Sequence, residues 1–213
     1  GIGELHLEIA VKFLRDYAGG DLEIITSKPT VVYRESIAAK GIAAQAKSPN
    51  KLNKLTIRVE PLEDRISELI ENGEITEDTN PKQLATTLEK KAGWPAEEAQ
   101  KAWAVEHHRN ILINATKGVQ VLQEARDAMI SGFKYGCQNG PLCEEPMRGV
   151  KVNLVGIQLH EDPVHRGPAQ LVPATRRAML GSFLTARASL VEPIFRINVT
   201  VPAEWVGQVG GII

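Results

Sequence analysis

Two histidines, two acids and an arginine crowd into Leu159-His160-Glu161-Asp162-Pro163-Val164-His165-Arg166-Gly167, and the uncharged Gly167-Pro168-Ala169-Gln170 follows. Residues of these types can ligate a metal, move a proton or meet a phosphate. A hydrophobic core has little use for them. The stretch reads as a turn after a strand and before a helix, the kind of place where a fold presents chemistry.

Three chemistries compete for it. His160-Glu161 with a later histidine has the look of the H-E-x-x-H zinc helix. His165, however, lies five positions after His160, so the two do not share a helix face as i, i+4 ligands do. Pro163 between them also forbids a continuous helix. A loop-built metal-dependent hydrolase using His160, Asp162 and His165 stays open as an alternative. His107-His108 reads as surface. A nucleophile-base pair would need Cys137 or Cys143 with a histidine, and no local signature supports it. The third chemistry is RNA contact. His165 and Arg166 precede a helix N-terminus, whose free N–H groups favour anions. An arginine fork suits phosphate, and an imidazole can donate, accept or stack. The competing structural reading is that Arg166 pairs with Asp162.

Charge distribution favours the third chemistry. The formal net charge is -1, yet Ser36 to Val59 and Pro163 to Val191 contain no acid, whereas Glu60 to Glu106 is heavily acidic. The first acid-free stretch carries Lys40, Lys47, Lys51, Lys54 and Arg58; the second carries Arg166, Arg176, Arg177 and Arg187. If the two basic stretches meet, they make an anion footprint on a near-neutral protein. No G-x-x-x-x-G-K-[ST] or G-x-G-x-x-G loop is present, so the chain itself is expected to carry no cofactor and to hydrolyse no nucleotide. No apolar run is long enough to span a bilayer. The two cysteines read as reduced thiols rather than a disulfide.

The elements that must position these residues follow from periodicity. Glu4 to Tyr17 reads as an amphipathic helix ended by Gly19-Gly20, and Asp21 to Thr26 as a strand. Val31 to Ile37 is a second strand. Gly41 to Lys47 and Lys54 to Val59 form an antiparallel pair, because Leu55, Ile57 and Val59 alternate with polar residues. Ser48-Pro49-Asn50-Lys51-Leu52-Asn53 is a turn by chemistry. Glu63 to Glu71, a helix opened by Pro81, and a third from Pro95 to about Glu106 form an acidic helical insert. Asn110 to Asn114 is a strand, Val119 to Tyr135 a helix and Gly149 to Leu159 a strand. Pro173 fits the first turn of a helix running to about Ala188. Leu190 to Val201 is a strand, and Ala203 begins a helix. The order gives an α+β or α/β architecture. With 213 residues and no initiator Met, the chain reads as a piece of something larger.

Several ordered motifs carry a family resemblance. Gly1-Ile2-Gly3-Glu4-Leu5-His6-Leu7-Glu8-Ile9 resembles a helix shared by translocation GTPases of the elongation factor G and elongation factor 2 type. Ser48-Pro49-Asn50-Lys51, Thr116-Lys117-Gly118-Val119-Gln120, Gly140-Pro141-Leu142-Cys143-Glu144-Glu145, Met147-Arg148-Gly149-Val150 and the His loop with Gln170, Pro173 and Arg176 narrow it to the archaeal and eukaryotic branch. Pro168-Ala169 makes the chain look archaeal.

The resemblance implies an α+β fold in which residues 29–188 are domain IV, with a ribosomal protein S5 domain 2-like core and a helical insert at about 63–106. Residues 1–28 would end domain III and residues 189–213 would begin domain V, both partial and ferredoxin-like. It implies a cytoplasmic, monomeric factor with no membrane contact, whose full-length form binds GTP and magnesium. Its partners would be the ribosome at the decoding-centre rRNA, tRNA and mRNA. His165 would be the diphthamide acceptor, seen by diphthamide-synthesis enzymes and ADP-ribosylating toxins. The RNA-facing tip would comprise Pro49, Asn50, Lys51, Asn53, Lys54, Arg166 and Gly167, with His160 and Asp162 supporting the loop. Pro163 departs from the family's small residue and stiffens the backbone two residues before His165. A non-catalytic interaction module is the remaining alternative.

Overall fold

A computed structural model describes residues 4–19, 24–25, 31–117, 123–194, 200–203, 207–208 and 211. The backbone divides into two units, one formed by Gly1–Val32 with Pro193–Ile213 and the other by Tyr33–Glu192. In the first unit, helix α1 covers Glu4–Tyr17 as expected, and Gly19 takes a left-handed φ of 69° just after it. The strand expected at 21–26 lies outside the described residues except at 24–25. The same holds for the start of the 119–135 helix, for most of the 190–201 strand beyond residue 194 and for most of the helix beginning at Ala203.

The larger unit is built on a five-stranded sheet, with β2 (Ala44–Lys47), β3 (Lys54–Pro61), β4 (Ala102–Glu106), β5 (Asn110–Asn114) and β6 (Val150–Gln158). Their spatial order is β2-β3-β6-β5-β4. Among the described strands of this sheet, only β5 and β6 run parallel, and helix α5 (Gln123–Gln138) is their crossover; a parallel pair needs such a connection. Helix α6 (Pro168–Leu184) packs on β2, β3 and α5. Strand β1 (Arg34–Ile37) pairs antiparallel with β7 (Ala188–Val191) in a separate ribbon. That pairing lies within the larger unit.

Side-chain alternation assigns the faces. Leu55, Ile57 and Val59 of β3, Val152 and Leu154 of β6, and Leu112 of β5 bury against Met129, Phe133, Met179 and Phe183 of α5 and α6. Ile111 and Ile113, one position off, bury on the opposite face. A period of two sends neighbours to opposite faces, so a strand apolar at both has cover on both sides. The second cover is the insert: α2 (Asp64–Glu71), α3 (Pro81–Thr87) running into a wider turn at Leu88–Ala92, and α4 (Ala96–Ala99). Its Ile66, Ile75, Leu84, Leu88 and Trp94 close over β4 and β5. Two polar residues of that face on β6 are partnered, whereas the buried Nε of Arg58 on β3, beside Asn153, has no partner among the described residues. Lys151 donates to Glu98 at 2.6 Å and lies 4.3 Å over the Trp94 ring, and Asn153 donates to Glu60 at 3.0 Å.

Two expectations need correction. The helix opened by Pro95 ends at Ala99, and Ala102–Glu106 is a strand. Pairing with β5 outweighs the helical leaning of an Ala- and Glu-rich sequence. Helix α6 begins at Pro168 rather than Pro173 and stops at Leu184. Pro173 therefore sits inside the helix, where its missing N–H deprives the Ala169 carbonyl of its usual donor. Ala169 is exposed, so water can replace that bond. Gly132 lets α5 and α6 approach, since a Cβ there would stand 2.8 Å from the Val172 carbonyl oxygen.

Glu77, between α2 and α3, ties the insert to the sheet layer. It accepts from Lys134 Nζ and from His107 Nδ1, each at 2.7 Å. Burial alone would raise its pKa, but these two donors outweigh it and hold the carboxyl at about 2, against 4.5 ordinarily. A depressed carboxyl stabilises the fold above its unfolded value, and that contribution fades as pH falls from 4.5 toward 2. Because Glu77 is partly exposed, the expected loss is about 1 kcal/mol rather than the full linkage value. Urea unfolding at pH 6 and pH 2.5 should show this loss in the parent and little of it in Glu77→Gln.

Candidate nucleic-acid interface

The β2–β3 turn and the His loop lie side by side. Lys54 opens β3 directly opposite Gln158, the last residue of β6, so both loops leave the sheet at one end. The insert leaves β3 at Pro61, opposite Val150, seven residues and roughly 23 Å further along the strand. The acidic helices therefore attach at the end of β3 remote from the loops.

Asn53 is the bolt between them. Its amide Nδ2 donates to the His165 carbonyl at 2.8 Å and to Ser48 Oγ at 3.0 Å. Its Oδ1 accepts the His160 backbone N–H at 3.0 Å. Asn50 Nδ2 also donates to the His165 carbonyl, at 2.7 Å, and the Asn50 backbone N–H donates to Gln170 Oε1 at 2.9 Å. Lys51 takes a left-handed φ of 64° at the head of the turn, which strains a residue with a Cβ. The turn closes with the Lys51 N–H on the Ser48 carbonyl at 2.8 Å.

The His loop has its own internal frame. His160 Nδ1 accepts from the Asp162 N–H at 3.1 Å, and Asp162 Oδ1 caps the short 3-10 turn Pro163–Arg166 by accepting from Val164 at 3.0 Å. Pro163 occupies the first position of that turn, where its fixed φ and absent N–H suit a helical start. Arg166 Nη1 donates to the carbonyls of His160 and Glu161, both at 3.1 Å. Those carbonyls, not Asp162, are its partners. One terminal nitrogen braces the loop, and the rest of the five-donor fork has no partner among the described residues.

The outcome for each predicted residue is specific. His165 is exposed, with its ring edge-on to His160 at 4.9 Å between centroids. Pro49 and Lys51 are exposed, and Asn50, Lys54, Arg166 and Gly167 are half-buried. Asn53 is fully buried and cannot face RNA; its amide is consumed in joining the loops. Ser48 and Gln170 are also part of the site, through their bonds to Asn53 and Asn50; in the sequence they stand out only as motif residues, having no charge or reactive group. Lys47 stands directly opposite Lys54 in the terminal β2–β3 pair. Like charges so placed repel, an arrangement that an anion relieves.

The loop-built metal reading is not supported: His160 Nδ1 and Asp162 Oδ1 accept backbone N–H groups, and the ligand atoms of His160, Asp162 and His165 do not gather within 4.8 Å of one another. Among the described residues, only Glu106, His107 and His108 place three donor atoms within 4.8 Å of one another. The thiols are poor nucleophiles as well. Burial, then the fields of Glu106 and Glu77, push Cys137 well above its ordinary value. Residual desolvation and the carboxylates of Glu35 and Glu145 raise the exposed Cys143.

Comparison with known proteins agrees with this geometry. Residues 73–187, more than half of the chain, match the family model for elongation factor G, domain IV. Over all 213 residues the chain is 47% identical to elongation factor 2 of Staphylothermus marinus and 47% identical to that of Sulfurisphaera tokodaii. It is 45% identical to elongation factor 2 of Saccharolobus solfataricus. The chain spans about 29% of the length of these curated relatives. No helix among the described residues is long and apolar enough to cross a membrane. The chain therefore belongs to the elongation factor G and elongation factor 2 family, through the segment that contains domain IV.

Proposed function

We propose that this chain is the tRNA- and mRNA-contacting segment of a translational GTPase, and that its paired loops help move the tRNA–mRNA pair from the A site to the P site of the ribosome. The observation that carries the reading is the clamp on His165. Two buried or half-buried amides, Asn53 and Asn50, hold the His165 carbonyl, while the imidazole stays exposed beyond it. A group held by its backbone and free at its side chain suits a rigid probe. Lys51, Lys54 and the spare donors of Arg166 supply phosphate contacts around it.

In this reading the larger unit is domain IV, with a ribosomal protein S5 domain 2-like core. The terminal segments belong to ferredoxin-like domains III and V. GTP and magnesium bind elsewhere in the full-length, cytoplasmic, monomeric protein. His165 is the diphthamide acceptor and the target of ADP-ribosylating toxins. The 3-10 turn beginning at Pro163 is then the conformation that the modifying enzymes meet.

The test uses the full-length factor. His165→Ala or Arg166→Ala should slow translocation or raise frameshifting about tenfold or more, the loss of roughly one positioning contact, with ribosome-dependent GTP hydrolysis nearly unchanged. Translocation and frameshifting at parental levels in both variants would sink the reading. A purely structural module is separated by Lys51→Glu with Arg166→Glu. It predicts unchanged ribosome affinity, whereas loss of phosphate contacts weakens binding and flattens its salt dependence.

A further inference from the structure

We propose that Glu106, His107 and His108, with Glu77 beside His107, form a binding site for a divalent transition-metal ion of the zinc type. The site lies in the turn between β4 and β5 and in the α2–α3 connection that folds against it. It is separate from the paired loops and independent of the role proposed for them.

The donor atoms converge. Glu106 Oε1 lies 2.7 Å from His108 Nδ1 and 3.0 Å from His107 Nδ1. His107 Nδ1 lies 2.7 Å from Glu77 Oε1. The three atoms that lie within 4.8 Å of one another are those of Glu106, His107 and His108, and two imidazoles and one carboxylate, with a position left open, are a donor set that zinc accepts. Zinc bonds of about 2.0–2.2 Å place tetrahedral donors about 3.3 Å apart, so the two contacts of Glu106 Oε1 with the imidazoles need open only by a few tenths of an ångström. His107 is exposed on its outer side (60%), which gives both that freedom and an entry path.

Hydrogen bonding alone satisfies the cluster poorly. The Nδ1 of His107 carries at most one proton, yet it faces a carboxylate oxygen on each side. A cation accepts both imidazole lone pairs and the Glu106 oxygen together. The remaining carboxylate oxygens are held from behind, as ligands in built metal sites are. Glu106 Oε2 accepts from Asn110 Nδ2 at 2.6 Å and from the His108 N–H at 3.1 Å. Asn110, itself fully buried, is locked by the Met147 carbonyl at 2.8 Å and the Val150 N–H at 3.0 Å. Glu77 Oε2 accepts from Lys134, and Glu77 Oε1 also accepts the His107 N–H at 3.1 Å. Glu106 is thus a buried carboxylate, 2% exposed, with one oxygen anchored and one aimed at the imidazoles.

An ion here would fix the β4–β5 turn beside Glu77, which meets His107 from 30 residues away in sequence, and binding to the folded state alone raises the melting temperature.

The experiment titrates ZnCl2 into the chelator-stripped 213-residue chain by calorimetry, with thermal melts in parallel and CoCl2 absorption to report nitrogen ligands. One ion per chain and a raised melting temperature are expected. His107→Gln and His108→Gln should each weaken zinc binding about tenfold or more, while His160→Ala and His165→Ala leave it intact. His107 is exposed, so His107→Gln should fold normally, as circular dichroism would verify, and serves if His108→Gln does not. The proposal is overturned if zinc binds His107→Gln as tightly as the parent, if binding is lost with His160→Ala, or if the parent binds no zinc.

Discussion

Asn53→Leu should lower stability by about 3 kcal/mol and release the His loop, although it removes no charge and no apolar contact. The side chain is fully buried, and its amide partners are the His165 carbonyl, Ser48 Oγ and the His160 N–H. Leucine leaves the carbonyl and the N–H without that partner, and each buried unsatisfied group costs about 1–3 kcal/mol. Asn50 still reaches the His165 carbonyl, which keeps the estimate below the full sum. Asn53→Asp is a sharper probe of the same idea. It keeps the shape but turns an acceptor toward the His165 carbonyl and buries a charge, so it should be at least as damaging. Urea unfolding gives the free energy, and amide exchange at residues 160–167 locates it. A loss below about 0.5 kcal/mol, the ordinary surface range, would mean that the two loops are not bolted together by this amide. In the full-length factor the same substitution should mimic His165→Ala in translocation, because an unclamped imidazole is no longer positioned.

Glu35→Ala should be worse for the fold, by about 4 kcal/mol. Glu35 in β1 is fully buried. Its carboxylate accepts from the backbone N–H groups of Leu142, Cys143 and Glu145 at 2.8, 2.9 and 3.2 Å. Charged hydrogen bonds of this kind are roughly twice as strong as neutral ones, and alanine abandons all three. Gly140 is part of the same device, since a Cβ there would sit 2.3 Å from the Glu35 carboxyl. Gly140→Ala should therefore destabilise in the same direction. The segment Gly140 to Glu145 is thus an amide nest wrapped around one carboxylate. The exposed Cys143 offers a local readout: Glu35→Ala should speed or slow its alkylation under native conditions as the nest rearranges. An unchanged rate together with parental stability would show that the nest does not depend on Glu35.

The contrast between β3 and β4 shows how far residue order reaches. Leu55, Ile57 and Val59 alternate with polar neighbours, and β3 forms where that alternation predicts. Helix α1 likewise matches its stripe from end to end. Ala102-Trp103-Ala104-Val105-Glu106 has no such alternation and follows a proline that opens a helix. Only its partner β5 makes it a strand, and a partner across a ladder leaves no local mark. Pro173 misleads for a related reason, since α6 tolerates it one turn in and starts at Pro168 instead.

Residue order reaches the turn at Ser48 to Asn53 and the His loop, because these depend on local spacing and charge, and through its motifs it reaches the family. Element order leaves α+β and α/β both open, and only the family resemblance selects α+β. Which of those residues face outward depends on the folded chain. Asn53 and Asn50 are both asparagines of one turn, yet one is buried as a bolt and the other is only half-buried. Glu35, Glu77 and Glu106 look like surface acids in the chain. One becomes the centre of an amide nest, Glu106 meets both neighbouring histidines, and Glu77 meets one of them. Burial and partnership come from segments tens of residues away, and only the folded chain brings those segments within hydrogen-bonding distance.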